Sequence, residues 1–292
     1  MTWFLWLGLV LCLLVLAFVG LRAYGTKRWA KSVQVLARRL AAARLDTRTP
    51  PAYQTRYHLR ELDGLPAPVQ RYLRAVLKDG QPIICSATVD MEGTFNLSAT
   101  GGEQWRPFTA TQRVVTSRPG FVWDAQIAML PGAPVRVADS YIAGLGLLHA
   151  AGLGLFTVAD IRGGGEIARG EFMRFFAEAA WYPTALLPSQ GVQWQAVDDR
   201  SANATLADGP LTLTLLFRFN DAGLIDSFRA EARGAMVGND MVMLPWEGRW
   251  SNYQTHGGLT VPFTGEVAWV RPEGRKPYFK GTVTALHHGF SV

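Results

Sequence analysis

Cysteine is almost absent from this chain: among 292 residues only Cys12 and Cys85 carry a thiol. Cys12 lies inside an apolar N-terminal run and Cys85 in a strand-like one, so pairing them would place one sulfur in lipid, which excludes a disulfide between them. The motifs of nucleophilic hydrolysis are missing too. There is no G-x-S-x-G, and no basic residue stands beside Cys85 to activate it. H-E-x-x-H, C-x-x-C and EF-hand spacings do not occur, and His58, His149, His256, His287 and His288 are scattered. The last two are neighbours in a strand-like run and point to opposite faces. The sequence therefore calls for no metal, no cofactor and no assigned catalytic residue.

Negative charge is scarce in one region. From Arg22 to Arg60 there are ten Lys and Arg against the single acid Asp46, a local balance of +9 in a chain of net charge +6, which leaves the remainder near −3. The basic pI belongs to that segment. The folded part has no basic excess to offer a nucleic acid, and none is expected as a partner.

What the chain does have begins with Trp3–Leu21, a run of nineteen residues without a charge. As a helix it would reach roughly 28 Å, close to the hydrocarbon thickness of a bilayer. No basic stretch precedes it and no clear A-x-A site follows it, so it reads as a membrane anchor and not a cleaved signal. Trp3 and Trp6 suit one interface, Tyr24 and Trp29 the other. Residues Lys27–Arg44 look helical, with Trp29, Val33, Leu36 and Leu40 at four- and three-residue steps. That segment reads equally as a helix on anionic headgroups, as a solvated extension of the anchor, or as a short helix packed on the domain. Thr47–Pro51 reads as a linker, because consecutive prolines cannot continue a helix. The organisation expected is 1–24 anchor, 25–63 basic juxtamembrane helix and linker, and 64–292 folded domain.

Within the domain, a short helix starts at Pro66 or Pro68 and puts Val69, Tyr72, Leu73, Val76 and Leu77 on one face. From Ile83 to Ile142 the period changes to two, and it does so again in seven blocks between Val192 and His287, with turns at Asp221-Ala222-Gly223 and Pro272-Glu273-Gly274. Both regions read as antiparallel meanders. Between them Gly144–Asp160 is apolar and glycine-rich, but its spacing fits neither G-x-G-x-x-G nor a Walker loop, so a buried helix or packed loop is expected, with His149 in the core. After it comes the clearest amphipathic helix of the domain, from Glu171 to its stop at Trp181-Tyr182-Pro183. Phe172, Phe175, Phe176 and Ala179 share one face, and Glu171, Arg174 and Glu178 share the other.

That polar triplet has two readings: a salt-bridged wet face, or a polar plug buried under the sheet whose charges must be paired. As paired carboxylates, Glu171 and Glu178 lie about 10.5 Å apart along the axis, wider than a glycosidase pair. The seven indoles beyond the anchor, at 105, 123, 181, 194, 246, 250 and 269, are either core or the wall of an apolar cavity. Candidate ligand-binding residues are Arg174, Glu171, Glu178, Trp123, Trp181, Trp194 and Trp269.

The runs LPAPVQRYL (Leu65–Leu73), WRPFTATQ (Trp105–Gln112), RPGFVWDA (Arg118–Ala125), ARGEFMRFFAEAAWYPTALLP (Ala168–Pro188) and PW-x-G-x-W-x-x-Y (Pro245–Tyr253) resemble a bacterial domain-of-unknown-function family, number 6544, over roughly Leu65–Phe290. That resemblance implies relatives and no mechanism. More loosely, two meanders split by a helical insert resemble the lipoprotein-carrier (LolA-like) half-barrel, which implies lipid binding outside the cytoplasm. The fold expected is mainly β with helices (α+β): a curved antiparallel half-barrel sheet with a helical insert, preceded by one transmembrane helix. The chain departs from soluble carriers by its anchor and from lipoproteins by lacking a lipobox cysteine. The leading expectation is a non-enzymatic module in a bacterial inner membrane that holds a lipid or other apolar ligand in a β groove. The alternatives are a hydrolase-like enzyme using Glu171 or Glu178, and an envelope module that binds proteins through the sheet's convex face. The positive-inside rule places the domain in the cytoplasm and the fold resemblance places it outside, so the side stays open.

Overall fold

The structure, a computed structural model, describes residues 2–45, 55–98, 102–237 and 240–290. The expected linker Thr47–Pro51 lies outside these. One unbroken helix, α1 (Thr2–Leu45), contains both the apolar run and the basic segment that follows it. Its first half is long and apolar enough to cross a membrane, and its large apolar side chains from Trp3 to Leu21 are exposed. Its second half is packed on the domain, as the third reading of that segment has it. Trp29 is therefore not an interfacial anchor: with Val33 and Leu40 it is buried against Val115, Val122, Ala138 and Ala151. Gly25 makes the approach possible, since a Cβ there would stand 2.1 Å from the Leu153 carbonyl oxygen.

Helix α2 (Ala67–Val76) begins on Pro66 and Pro68, where the missing N–H costs nothing, and buries Val69, Tyr72, Leu73 and Val76 as its periodicity predicts. The first meander follows as β1 (Ile84–Asn96), β2 (Trp105–Val115), β3 (Gly120–Leu130) and β4 (Ala133–Ile142). It then continues where no strand was expected. Gly144–Asp160 is neither helix nor packed loop but the hairpin β5 (Leu145–Gly152) and β6 (Phe156–Gly163). Its turns are set by positive φ at Ala143, Gly144, Leu153 and Gly154. His149 is a quarter exposed and stacks on Trp29 with ring centroids 5.4 Å apart.

Helix α3 (Gly165–Ala177) starts six residues before Glu171 and passes into short 3-10 turns that run to Gln190. The second meander is β7 (Gln193–Asp198), β8 (Ser201–Asp208), β9 (Leu211–Phe219), β10 (Ile225–Val237), β11 (Asp240–His256), β12 (Leu259–Arg271) and β13 (Gly274–Phe290). Pairing of β1 with β13 fuses the two meanders into one antiparallel 13-stranded sheet, ordered β6-β5-β4-β3-β2-β1-β13-β12-β11-β10-β9-β8-β7.

That sheet is strongly curved. Strands β4 and β8 are nine places apart in it, about 43 Å if it were flat. Yet the Tyr141 hydroxyl of β4 donates to Asp208 of β8 at 2.6 Å. Register shifts in β1–β13, β10–β11 and β12–β13 mark bulges that bend the strands. The concave side holds the main core, with α2, α3 and the 3-10 turns packed into it, and Phe172, Phe175 and Phe176 essentially inaccessible. The convex side carries α1 over β2, β3 and β4, which are thus covered on both faces.

Candidate functional site

Helix α3 lies inside the curve of the sheet, so its polar face is no wet surface. Glu171 is 4% exposed, and the side chains of Arg174 and Glu178 are 14% and 13% exposed. Of the two readings of the triplet, the buried plug is the one observed, and its charges are paired. Arg174 donates through Nε to Glu178 Oε1 (2.8 Å), through Nη1 to Asp139 Oδ2 (2.9 Å) and through Nη2 to Gln112 Oε1 (3.0 Å). Gln112 Nε2 in turn donates to Glu178 Oε2 at 2.6 Å. The guanidinium carbon lies 4.9 Å from the ring centre of Phe121 and 4.8 Å from that of Trp123, so aromatic faces cover the ion.

A second arginine sits one turn back along α3. Arg233 of β10 is 9% exposed and packs over Trp246 (4.3 Å) and Trp269 (5.7 Å), with Nη2 4.0 Å from Glu171 Oε1. Glu171 Oε2 and Asp139 Oδ1 are buried without a hydrogen-bond partner among the described residues. Burial, and then the nearby Asp139 charge, pushes the Glu171 carboxyl up to about 8. Burial also raises Asp139 above the ordinary carboxylate range, against the pull of Arg174 and Arg233.

This charged cluster forms the floor of a hollow of about 510 Å³. Its walls are largely apolar and aromatic: Phe95, Trp123, Val267, Trp269, Tyr278 and Phe279. Both the volume and the lining suit a small-molecule or acyl-chain site, with few polar groups gathered at one end.

The chain matches the family described as "Family of unknown function (DUF6920)" over residues 63–288. It belongs to that family. The motifs had pointed to a bacterial family of unknown function over nearly the same span; the number is 6920 and not 6544. No curated protein matches. Among solved structures, the chain is similar to a DUF1329 family protein from Desulfovibrio piger (10% identity, 72% of this chain and 88% of that one, TM-score 0.41). It is also similar to a domain from Vibrio parahaemolyticus named for outer membrane lipoprotein sorting (8% identity, 71% and 86%, TM-score 0.38). A third is a LolA superfamily protein from Nitrosomonas europaea (10% identity, 75% and 90%, TM-score 0.32). Likenesses this distant carry no argument about function, which must come from the DUF6920 domain's own residues.

Of the seven candidate residues, the hollow gathers Glu171, Arg174, Glu178, Trp123 and Trp269. Trp181 and Trp194 are elsewhere. Trp181 donates to the Pro262 carbonyl at 3.0 Å and meets Trp250 edge-on; Trp194 donates to the Leu186 carbonyl at 2.9 Å and packs on Phe217 and Phe219. Both are structural, with their N–H groups satisfied. Arg174 is in the hollow's lining as a candidate for binding a ligand, but each of its three nitrogens already has an acceptor. The sequence reading missed Gln112, Asp139, Arg233 and Trp246. Gln112 and Asp139 were within reach of it, because Phe108, Ala110, Gln112 and Val114 alternate inward on β2, and Asp139 shares the parity of buried Tyr141.

The Glu171 carboxyl sets a pH dependence of stability. Folding holds its proton to a higher pH than the unfolded chain does. The contribution is therefore complete below about pH 4.5 and is lost as pH rises towards 8. Glu171→Gln removes that loss. It is expected to stabilise the protein by on the order of 3 kcal/mol at pH 8.5 and by nothing near pH 4, read from unfolding midpoints across pH. An equal effect at both pH values would show that the carboxyl is solvated and unshifted.

Proposed function

We propose that this protein is a module anchored by α1 in a bacterial inner membrane, where it holds a lipid or other apolar-bodied ligand in the hollow of its curved sheet. One observation carries the reading: an apolar-walled hollow of about 510 Å³ is left open where the rest of the concave face is filled by side chains. Burying an acyl chain there is favourable at about 25 cal/mol per Å² of apolar surface.

The position of the mouth supports the same reading. Gly132, in the β3–β4 turn, lies beside Phe18 and Arg22 of α1, and Gly25 touches the β5–β6 turn at Leu153. Those α1 residues are where the uncharged run ends, so both turns stand at the level of the membrane surface. The registers Asn96↔Trp105, Phe108↔Ile127 and Phe95↔Phe279 put the β1–β2 and β12–β13 turns on that same rim of the sheet. These two turns supply Leu97, Glu103 and Glu273 to the hollow, and Lys276 follows at the start of β13. Exposed Leu97, Leu130, Phe156 and Val158 line this rim, where lipid tails would cover them. A ligand could pass from bilayer to hollow without crossing much water.

Native mass spectrometry of the full chain, released from detergent or nanodiscs, is expected to show a co-purified amphiphile, lost when the wall is filled by Val267→Trp. A wild-type protein free of any adduct, still unable to take up added lipid, would end the proposal. A second reading, a hydrolase-like enzyme with Glu171 as the acid, is favoured by that group's raised value at the floor of an accessible hollow. It would show in the same spectra as a cleaved amphiphile. The ten basic residues after the span favour a cytoplasmic domain; a topology reporter fused after Val292 that reads extracytoplasmic would reverse that side.

A further inference from the structure

The floor of the hollow has a polarity, and it is opposite to the one that an anionic headgroup needs. Its cations are already engaged: all three nitrogens of Arg174 have acceptors, and Arg233 is held between Trp246, Trp269 and Glu171. Its acceptors are not. Glu171 Oε2 and Asp139 Oδ1 are buried without a partner among the described residues, in a site where Glu171 is 4% exposed and lines the cavity. A buried oxygen left without a hydrogen bond is destabilising, so two of them mark a place where something that donates is missing. Charge points the same way. The floor holds three carboxyl groups against two guanidiniums, so it carries an excess of acid once Glu171 ionises, and the whole lining holds six acidic groups against four basic ones.

We infer that the end of the ligand reaching this floor is a hydrogen-bond donor, best an alkylammonium, and not a carboxylate or phosphate; this rests on the hollow being a ligand site. An ammonium brings three N–H donors and one positive charge, enough to serve both orphan oxygens and to balance the Glu171 carboxylate formed when that group gives up its proton. A carboxylate or phosphate would bring further acceptors and negative charge beside Glu171, Asp139 and Glu178, where Arg174 is already bonded through all three nitrogens and Arg233 already faces Glu171; the other cations of the lining, Arg271 and Lys276, sit at the β12–β13 turn end of the hollow. A hydroxyl falls between them. It can donate to one carboxylate, and it can accept from Trp123 Nε1, which is also buried without a partner among the described residues.

Proton linkage gives a second readout. The groups facing Glu171 are Asp139 from β4, Arg233 from β10, and Arg174 and Glu178 further along its own segment. With its carboxyl pushed up to about 8, Glu171 is protonated in the empty protein at pH 7. An ammonium placed against it favours the ionised form, so binding releases close to one proton, while an alcohol releases none.

The test is calorimetric titration of the full chain in nanodiscs of zwitterionic phosphatidylcholine, with empty nanodiscs subtracted, using dodecylamine, dodecanol and dodecanoic acid in two buffers of different ionisation enthalpy. The amine should bind at least about tenfold more tightly than the acid, with the alcohol between, and with proton release for the amine alone. Glu171→Gln should lower amine affinity about tenfold and abolish the proton release while leaving the alcohol within about twofold; Asp139→Asn serves if that variant does not fold. Acid binding as tightly as amine overturns the inference and leaves the hollow as a lipid site. Failure of all three chains to bind removes the site reading itself, and this inference with it.

Discussion

Replacing Arg174 by methionine is expected to lower the stability of the folded protein by about 3–5 kcal/mol, the cost of leaving a buried charge without its partner. Methionine keeps the length and apolar stem but removes every donor. Asp139 Oδ2 and Gln112 Oε1 lose their hydrogen bonds, and Glu178 keeps only the one from Gln112. Phe121 and Trp123 lose the ion they cover. The deficit should grow with pH. Without the guanidinium, the folded-state carboxyl of Asp139 rises further above its unfolded value, so stability is retained below about pH 4 and lost as pH climbs through the raised value. Thermal unfolding of the full chain in detergent at pH 5 and pH 8, followed by tryptophan fluorescence, reads both effects. Adding Glu178→Gln should recover part of the loss, because it removes one of the stranded charges. A deficit below about 1 kcal/mol, flat in pH, would mean that water reaches the cluster and that the hollow's floor is a surface.

This network also shows where sequence reasoning reaches and where it stops. The apolar face of α2, the seven blocks of the second meander and the aromatic face of α3 follow from periodicity alone, because each element buries one face against a single neighbour. The hairpin of β5 and β6 does not. Glycines at 146, 152 and 154 erase its two-residue alternation. Gly146 is there for a tertiary reason, since a Cβ would stand 2.7 Å from the backbone of Ile167 and Ala168 on α3. The start of α3 was hidden for a similar cause. It begins on glycines with no side-chain cap, so the usual N-terminal signal is missing.

At the site, parity decides what could be read. Gln112 and Asp139 are polar residues at inward positions of regular strands and could be placed from the sequence. Arg233 could not. Phe228 and Ala230 face inward at even positions, but a bulge between Ala230 and Arg233 shifts the register, and beyond it Arg233 and Ala235 are the buried ones. One extra residue in the strand turns an apparently solvent-facing arginine into the partner of Glu171. Which of the two readings of the α3 charges holds, wet face or buried plug, is likewise not decided by any local pattern. The sheet curls far enough to cover α3 on both sides, and curvature is a sum over thirteen strands that no local window contains.

Trp29→Ala is the change expected to separate the anchor from the domain. Trp29 is 3% exposed, its Nε1 donates to Asp124 at 2.8 Å, and its ring stacks on His149 at 15°. Truncating a buried indole costs about 3–5 kcal/mol, and here the loss falls on one contact, the docking of α1 on the outer face of β3 and β4. Burial raises the Asp124 carboxyl, and its hydrogen bond from Trp29 works against that, so the variant also strands an acid unless the helix lifts and lets water in. Hydrogen exchange in the stretch from Gly25 to Leu40 should therefore speed up by about a hundredfold or more, while amides of α3 on the other face of the sheet stay protected. Because Val122 and Asp124 alternate with Phe121 and Trp123 on one strand, docking and hollow share a backbone but not a side chain. Affinity for an added amphiphile should hold within about threefold, whereas uptake from vesicles should slow, since the rim is no longer held against the bilayer. Unchanged exchange in α1 would show that the helix is fixed by its span and not by Trp29. Slowed uptake with no undocking would place the rate-limiting step inside the hollow instead of at its mouth.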